Sequence, residues 1–164
     1  MSAFKIRPAT RQDMATLADI LTEGFSTYRR WSPIGWEPPS RAAMLLGLMH
    51  KFGQDGSWGL VAFSEAGNAA GQVTARPERE ADGTNRTDVA RLTQLFVLEK
   101  HWGTGLATEL HVLILEGMRE RGFASACLWA ATGQARARRF YERHGFTSIQ
   151  PGEDYRMLCY IREL

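Results

Sequence analysis

Two glycines one residue apart lie between an apolar stretch and a segment with helical periodicity. They belong to Trp102-Gly103-Thr104-Gly105-Leu106-Ala107-Thr108, which follows the apolar run Leu92–Leu98. Beyond them, apolar residues recur at positions 106, 110, 113, 114 and 118. The first N–H groups of a helix have no partner within it and its dipole is positive at that end, so the turn can hold phosphate oxygens. The pattern predicts a strand, a glycine turn and a helix that bind a phosphate-bearing cofactor.

Two other phosphate-binding motifs share these glycines but fit less well. A nucleotide-hydrolysing P-loop continues with Lys-Ser/Thr, whereas Leu and Ala follow Gly105. A dinucleotide-binding fold has an acidic residue at the end of the next strand, whereas Ala and Thr follow the run Ala124–Ala130. A structural alternative stays open, in which the glycines serve only to permit a tight strand-to-helix turn.

A second motif lies about thirty residues further on, at positions 134–146. With the first, it resembles the GNAT superfamily of acyl-CoA-dependent N-acyltransferases. The family's central motif, Arg/Gln-x-x-Gly-x-Gly/Ala, is matched by residues 102–107, with Trp102 in place of Arg or Gln. Its later motif, Asn-x-x-Ala-x-x-Phe-Tyr-Glu-x-x-Gly-Phe, is matched with Gln134 in place of Asn. The resemblance covers most of the chain from Phe4 onward and is strong between Leu92 and Phe146.

The resemblance implies the fold, the reaction and the cofactor. We expect a single N-acetyltransferase domain over residues 1–164, of the α/β (α+β) class. It would have a mixed, mostly antiparallel sheet of about six or seven strands with four helices on both faces. The implied activity moves an acetyl group from acetyl-CoA to a primary amine by direct attack on the thioester. A non-catalytic acyl-CoA-binding sensor or interaction module with the same fold is the alternative.

By the same resemblance, acetyl-CoA lies across the glycine turn and along the end of the central strand. A bulge or splay there would free backbone groups to align the thioester and hold the developing oxyanion. The predicted cofactor-binding residues are Leu95, Phe96, Val97, Gly103, Thr104, Gly105, Leu106, Ala107, Thr108, Gln134, Ala137 and Phe140.

Tyr141 is the predicted catalytic residue. The thiolate of CoA needs a proton as it leaves, since a thiol has a pKa of about 8.5, and a tyrosine with a pKa of about 10 is a protonated donor at neutral pH. Tyr141 occupies the tyrosine position that in the family faces the cofactor sulfur, which implies a general acid. Alternatively, its ring only packs on the inner face of the helix. The general base is unassigned among Thr93, Gln94, Glu99, His101 and a water chain.

Acceptor recognition is expected in the segment Tyr28–Pro39, which is broken by prolines and rich in aromatic residues. By resemblance this region borders the acyl-acceptor site, so Tyr28, Trp31 and Trp36 are the predicted substrate-binding residues. The alternative is that the tryptophans cover one edge of the core. The polar segment Pro77–Asp88 is predicted to be an exposed loop, whose acidic residues are surface charges or attract an amine cation.

The remaining elements follow from hydrophobic spacing and capping residues. A turn is expected at positions 53–56, and helices begin near Thr10, Ser40, Leu106 and Gln134, the last ended by Gly145. Strands are predicted at positions 4–7, 58–64, 69–76, 92–98, 124–130, 146–149 and 155–161.

Composition limits the partners. The net charge is +2 over 164 residues, no apolar stretch approaches bilayer length, and positions 1–13 contain no apolar signal core. We therefore expect a cytoplasmic monomer or homodimer that acts on a small-molecule or peptide amine, without a metal, nucleic acid or membrane partner. Cys127 and Cys159 lie in apolar runs and are expected to be buried thiols, although a disulfide stays open. The arginines at 136, 138, 139 and 143 would meet the CoA phosphates or simply form a solvated helix face.

Overall fold

The computed structural model describes residues 2–52, 56–151 and 156–164. The helices are α1 Met14–Ser26, α2 Arg41–Lys51, α3 Leu106–Glu120 and α4 Ala135–Arg143. The strands are β1 Phe4–Pro8, β2 Trp58–Ser64, β3 Ala69–Arg79, β4 Asn85–Val97, β5 Ser125–Ala131, β6 Thr147–Pro151 and β7 Met157–Glu163. Single 3-10 turns occupy Arg11–Asp13, Thr27–Arg30 and Glu99–His101.

The strands form one sheet in the order β1-β2-β3-β4-β5-β7-β6. The pairs β1–β2, β2–β3, β5–β7 and β6–β7 are antiparallel, whereas β4 and β5 run parallel. The predicted fold class is therefore confirmed: a mixed, mostly antiparallel sheet with four helices. The chain packs as two compact units, Met1–Arg76 with Gln94–Ile114 (unit 1), and Pro77–Thr93 with Leu115–Leu164 (unit 2).

Unit 1 has helices on both faces of its strands. In α1 and α2, apolar residues at helical spacing share one face of the helix. These two faces form the main core of unit 1 together with residues of the strands. The helix α3 lies on the other face, where Leu110 is next to Gly71. Gly71 pairs with Ala62, and Val61 of the main core points to the opposite side. The core residues are Met14, Leu17, Ala18, Ile20, Leu21, Met44, Leu48, Phe52, Val61 and Leu98.

Unit 2 is built on the long pairing of β5 with β7, which runs from Ser125 opposite Glu163 to Ala131 opposite Met157. Leu128 and Tyr160 lie opposite each other and are fully buried. The Tyr160 hydroxyl accepts a hydrogen bond from Nε of Arg138 at 3.3 Å and donates to Oε1 of Glu142 at 3.0 Å. Helix α4 therefore packs on this face of the sheet.

The predicted loop at Pro77–Asp88 is wrong. The strand β3 continues to Arg79 and β4 begins at Asn85, so only the turn between them is irregular. Charged side chains pair within this hairpin: Arg91 binds Glu78 at 2.6 Å, and Arg86 binds Asp88 at 2.8 Å. A polar composition is compatible with a strand when its charges are paired and its backbone groups are bonded in the ladder.

Smaller differences concern element boundaries and one helix position. The strand β4 begins seven residues before the predicted Leu92, and α3 leaves Leu113 39% exposed although its spacing suggested an inward position. The segment after α1 begins with a 3-10 turn at Thr27–Arg30. The predicted turn at 53–56 falls largely on 53–55, and the predicted strand start at Tyr155 falls on 152–155, both outside the described residues.

Candidate active site

The glycine turn lies directly before α3, in unit 1. Gly103 and Gly105 have φ of 79° and 90°, in the left-handed region, and a Cβ on either would meet no atom of the described residues within 4 Å. Gly103, Thr104 and Gly105 are exposed, whereas Leu106 is buried and anchors the first helical turn. The hydroxyl of Thr104 donates to the carbonyl of His101 at 2.7 Å and accepts from the N–H of Leu106 at 3.4 Å. The turn is a bare, open backbone surface at the positive end of a helix dipole.

Trp102 attaches this turn to the end of β4. Its indole N–H donates to the backbone carbonyl of Val97 at 2.8 Å. The guanidinium of Arg30 lies 5.9 Å from the centre of the Trp102 ring and forms an ion pair with Glu99 at 2.8 Å. Arg30 belongs to the 3-10 turn after α1, so it connects the predicted acceptor segment to the glycine turn.

The end of β4, with the predicted cofactor-binding residues Leu95, Phe96 and Val97, is half-buried. The N–H of Leu98 donates to the carbonyl of Ala70 at 2.9 Å, which pairs the strand end with β3. A Cβ on Gly71 would lie 2.8 Å from the carbonyl oxygen of Phe96, so only glycine permits this approach. Along the other edge of β4, the parallel register with β5 covers Val89–Arg91.

The predicted substrate-binding residues gather around the Phe96 ring, in unit 1. We call Phe25, Tyr28, Trp31, Trp36 and Phe96 the ring cluster. Tyr28 is at its centre, with ring centroids 4.7 Å from Trp31, 5.0 Å from Phe25, 5.8 Å from Phe96 and 6.2 Å from Trp36. A Cβ on Gly24 would overlap the Phe96 ring, so this helical glycine admits the ring against α1.

A set of polar side chains, which we call the polar trio, lies beside the ring cluster. The Nε2 of Gln72 and the hydroxyl of Thr74 contact Oε1 of Gln94 at 3.5 and 3.4 Å. Gln72 is fully buried, and its Oε1 has no hydrogen-bond partner within the described part of the chain. Gln72 is opposite Val61, so the trio faces the same side of the sheet as α1 and α2.

Tyr141, in unit 2, is positioned by the end of α4. Gly145 has φ of 83°, its N–H donates to the carbonyl of Glu142, and the N–H of Phe146 donates to the carbonyl of Tyr141. These two bonds form a Schellman motif, and its usual apolar contact is present, because the Tyr141 and Phe146 rings meet at 5.8 Å. Tyr141 is 9% exposed, so its ring is held in one place by packing.

The other predicted residues of unit 2 lie on the same helix. Gln134 is the residue before α4, and its carbonyl accepts from the N–H of Arg138 at 3.1 Å. Ala137 and Phe140 are half-buried, and Phe140 contacts the rings of Tyr141 and His144 at 5.4 and 4.3 Å. Phe140, Tyr141 and His144 therefore share the packed face of α4.

The arginines of α4 divide into two groups. Arg138 is partly buried and donates to Tyr160 and, at 3.0 Å, to the carbonyl of Thr132, so its guanidinium has a structural position. Arg136, Arg139 and Arg143 are exposed. Any contact of this helix with phosphates would therefore come from the exposed three.

Glu78, Arg91 and Cys127 form a partly buried cluster in unit 2 that the sequence did not reveal. Burial alone would raise the pKa of Glu78, but the Arg79 N–H, the Cys127 thiol and Arg91 together lower it. Burial first, and then the Glu78 carboxylate, raise the pKa of Cys127 to about 12. Burial also raises the pKa of Cys159. Both cysteines are free: Cys127 is buried as predicted, whereas Cys159 is only half-buried.

Among the described residues, no group of three or more His, Cys, Asp or Glu side chains is arranged to hold a metal ion. No helix in the same residues has the length and apolar character needed to cross a bilayer.

The sheet, the four helices and the open glycine turn ahead of α3 define an α/β protein. The family described as the acetyltransferase (GNAT) family matches residues 17–146. The chain therefore belongs to the GNAT acetyltransferase family, as the resemblance implied, and acyl transfer from an acyl-CoA is the reaction class. No curated protein sequence gives a significant match to the chain.

Solved structures agree on the fold. An acetyltransferase from Thermus thermophilus has a TM-score of 0.79 at 20% identity, with 100% of both chains covered. The PaiA N-acetyltransferase of Thermoplasma acidophilum, solved in complex with coenzyme A, has a TM-score of 0.79 at 16% identity over 100% of both chains. The GNAT domain of S. lividans PAT has a TM-score of 0.77 at 24% identity, covering 98% of this chain and 90% of that one.

Several residues of unit 1 lie beside the predicted acceptor residues without a local sequence pattern that connects them to the acceptor segment. They are Phe25, Arg30 and the polar trio. Their contacts join positions far apart in sequence, such as Arg30 and Glu99 or Gln72 and Gln94. The available local signal was the run of aromatic residues itself, which identified Tyr28, Trp31 and Trp36 but not their partners.

Proposed function

We propose that this protein is an N-acetyltransferase that transfers an acetyl group from acetyl-CoA to a primary amine. The observation that supports it most directly is the open left-handed turn at Gly103 and Gly105, at the start of α3. Bare N–H groups at a helix N-terminus are suited to a diphosphate. The coenzyme A complex of the Thermoplasma acidophilum relative supports the choice of CoA as the carrier.

The residues available to hold acetyl-CoA follow the chain from the turn to the strand. The backbone N–H groups of Gly103–Thr108 bind the diphosphate, and the backbone groups of Leu95, Phe96 and Val97 contact the pantetheine arm. Gln134, Ala137 and Phe140 complete the predicted set from α4. The absence of a Cβ at the two glycines fits this ligand, since none of the described residues lies against the turn at those positions.

The reaction requires an attack, a leaving group and two proton transfers. The neutral amine nitrogen forms a bond to the thioester carbon while the carbon–sulfur bond breaks, and the sulfur takes the electron pair. Tyr141 gives its hydroxyl proton to that thiolate as the general acid, and the attacking nitrogen loses a proton to water or to an unassigned base. Support for Tyr141 comes from its motif position and from the Schellman motif that fixes it.

Calorimetry with acetyl-CoA tests the binding half of the proposal, and thiol release with a panel of primary amines tests the catalytic half. Gly105→Ala forces an L-residue into the left-handed region and adds a methyl group to the turn, and we expect affinity for acetyl-CoA to fall about tenfold. Gly83→Ala is the matched control, because Gly83 has φ of 86° and equally open surroundings in the β3–β4 turn of unit 2.

The outcomes separate the enzyme from the alternative. No uptake of acetyl-CoA, or equal losses in the two glycine variants, contradicts the proposed binding site. Uptake without thiol release from any amine supports a non-catalytic acyl-CoA-binding module instead.

Two free cysteines suit a reducing compartment, and we place the activity in the cytoplasm.

A further inference from the structure

The ring cluster and the polar trio lie on the same face of the sheet. Phe96 belongs to the ring cluster and Gln94 to the polar trio, and residues two apart on a strand point to one side. Their Cα atoms are about 7 Å apart along a strand. An apolar surface and a polar end thus lie within the length of one small molecule, all in unit 1.

The rings provide a large surface that is only partly used by the protein. Tyr28, Trp31 and Trp36 are half-buried, so each keeps accessible ring area after packing on its neighbours. Aromatic rings contribute large apolar area with little loss of side-chain freedom, and they favour stacked or edge contacts with other rings. This surface fits an aromatic group better than an extended polar chain.

The charges beside the rings are already paired. Glu37 forms an ion pair with Arg29 at 2.7 Å, and Glu99 forms one with Arg30 at 2.8 Å. These two carboxylates are the nearest in sequence to Trp36 and Phe96, whereas Glu23, near Phe25 on α1, is exposed. A second ammonium group on the acceptor would thus meet carboxylates that already have an arginine partner, and two arginines would repel it.

The polar end needs a donor. The Oε1 of Gln94 already takes the contacts from Gln72 and Thr74, and the buried Oε1 of Gln72 has no partner in the described residues. A buried amide oxygen without a hydrogen bond is costly, and Gln94, the half-buried member of the trio, is the one that an N–H donor can approach. A single amine nitrogen provides such a donor.

We infer that the acceptor is a small arylalkyl monoamine, with its ring against Tyr28, Trp31 and Trp36 and its amine beside Gln94. The spacing of about 7 Å between the Cα atoms of Phe96 and Gln94 is comparable to the distance from a ring to an amine through a two- or three-carbon linker. This inference rests on the proposed function for its chemistry, since the bound amine is the nucleophile. It names the substrate class that this chain's own side chains select.

The test compares tyramine with cadaverine, spermidine and a peptide with a free N-terminal amine. In thiol-release assays with saturating acetyl-CoA, we expect kcat/KM for tyramine to exceed that for each of the others by at least about tenfold. Trp31→Leu should lower kcat/KM for tyramine about tenfold and change that for cadaverine by less than about threefold. Trp129→Leu is the matched control, because Trp129 is an exposed tryptophan of β5 in unit 2.

A binding measurement keeps this inference separate from the proposed function. Calorimetry with tyramine and no acetyl-CoA should show binding that Trp31→Leu weakens and Trp129→Leu does not. If tyramine binds in this way but no amine releases thiol, the proposed function fails and only the arylalkyl amine site stands, as a binding site. A preference for cadaverine, spermidine or the peptide overturns the inference, as do equal effects of the two tryptophan variants, even if thiol release proceeds normally.

Discussion

The indole N–H of Trp102 donates to the backbone carbonyl of Val97 at 2.8 Å, and this bond links the start of the glycine turn to the end of β4. In the family motif, Arg or Gln is usual at this position. Here the Trp102 side chain donates a hydrogen bond to the backbone, and its ring lies next to the guanidinium of Arg30. Trp102 therefore acts as a positioning residue: it fixes the turn relative to the strand end whose backbone is expected to meet the pantetheine.

Trp102→Phe keeps an aromatic ring and removes the donor. We expect the free energy of unfolding to fall by about 1 kcal/mol, because the Val97 carbonyl loses its partner. Affinity for acetyl-CoA should fall several-fold, since the turn is no longer fixed to β4. Urea denaturation and calorimetry measure both quantities, with Trp129→Phe as the control. An unchanged affinity in a variant of reduced stability would show that the bond supports the fold but not the turn.

Tyr141→Phe tests the general acid. The hydroxyl is lost while the ring contacts with Phe140 and Phe146 remain, so the fold and the affinity for acetyl-CoA should be preserved. We expect kcat to fall by about 10²- to 10⁴-fold, the usual contribution of a positioned proton donor. Stopped-flow or steady-state thiol release with a good amine acceptor measures this effect.

Tyr160→Phe is the control for that experiment. Its hydroxyl bonds Arg138 and Glu142, so its removal should cost about 1 kcal/mol of stability and leave kcat within about twofold. If the Tyr141 variant turns over as fast as the wild type while binding acetyl-CoA, the residue only packs. The same conclusion follows if the two tyrosine variants lose equal activity.

Local sequence signals were sufficient to predict the glycine turn and the helices α3 and α4. The spacing of Leu106, Leu110 and Ile114 and the cap at Gly145 depend on residues close in sequence, and the structure has both helices where expected. The hairpin end at Pro77–Asp88 was not predictable in this way. Its stability comes from pairs such as Glu78 with Arg91, thirteen residues apart, and from pairing with other strands.

In the candidate site, too, local features could be predicted from the sequence and contacts between distant residues could not. The glycines, Tyr141 and the aromatic segment follow from residue type and motif. The packing of Tyr28 on Phe96, and the contacts of Gln94 with Gln72 and Thr74, join residues 20 or more positions apart. No periodicity of the sequence predicts such contacts, because they depend on how β3, β4 and α1 come together.

The ionisation of Asp13 should make the free energy of unfolding depend on pH. Its carboxylate accepts from both terminal nitrogens of Arg7 at 2.8 Å and from the N–H of Thr10 at 2.7 Å. The bonds from Arg7 are the main reason that its pKa is lowered from 3.8 to about 2. The folded state thus favours the ionised form, and the stabilisation is present above pH 4 to 5 and is lost as the pH falls toward 2.

The matched variant is Asp13→Asn. At pH 7 we expect it to lower the free energy of unfolding by about 2 kcal/mol, with a smaller difference from wild type at pH 3. Urea denaturation at the two pH values measures this change. Asp19→Asn is the control, because Asp19 pairs with Arg41 in solvent and should contribute below about 0.5 kcal/mol at either pH. A difference for Asp13→Asn that does not change with pH would contradict the assignment.

Cys127 should resist alkylation in the folded protein. Its thiol is buried and donates to Oε2 of Glu78 at 3.1 Å, and its pKa is raised to about 12. At pH 8 only about one thiol in 10⁴ would be ionised, against about a quarter of ordinary cysteines, so alkylation should be slower by about 10³-fold or more. Mass spectrometry of peptides after iodoacetamide treatment, native and in urea, measures the rate at each cysteine.

Glu78→Gln separates the effect of the neighbouring charge from that of burial. The carboxylate disfavours a nearby thiolate, so its removal should lower the Cys127 pKa and speed alkylation in the folded protein. Arg91 then lies near the thiol without its carboxylate partner, which favours the thiolate further. Rates are compared under conditions in which both proteins are folded by circular dichroism. Alkylation of Cys127 at the same slow rate in the variant would mean that burial alone protects it.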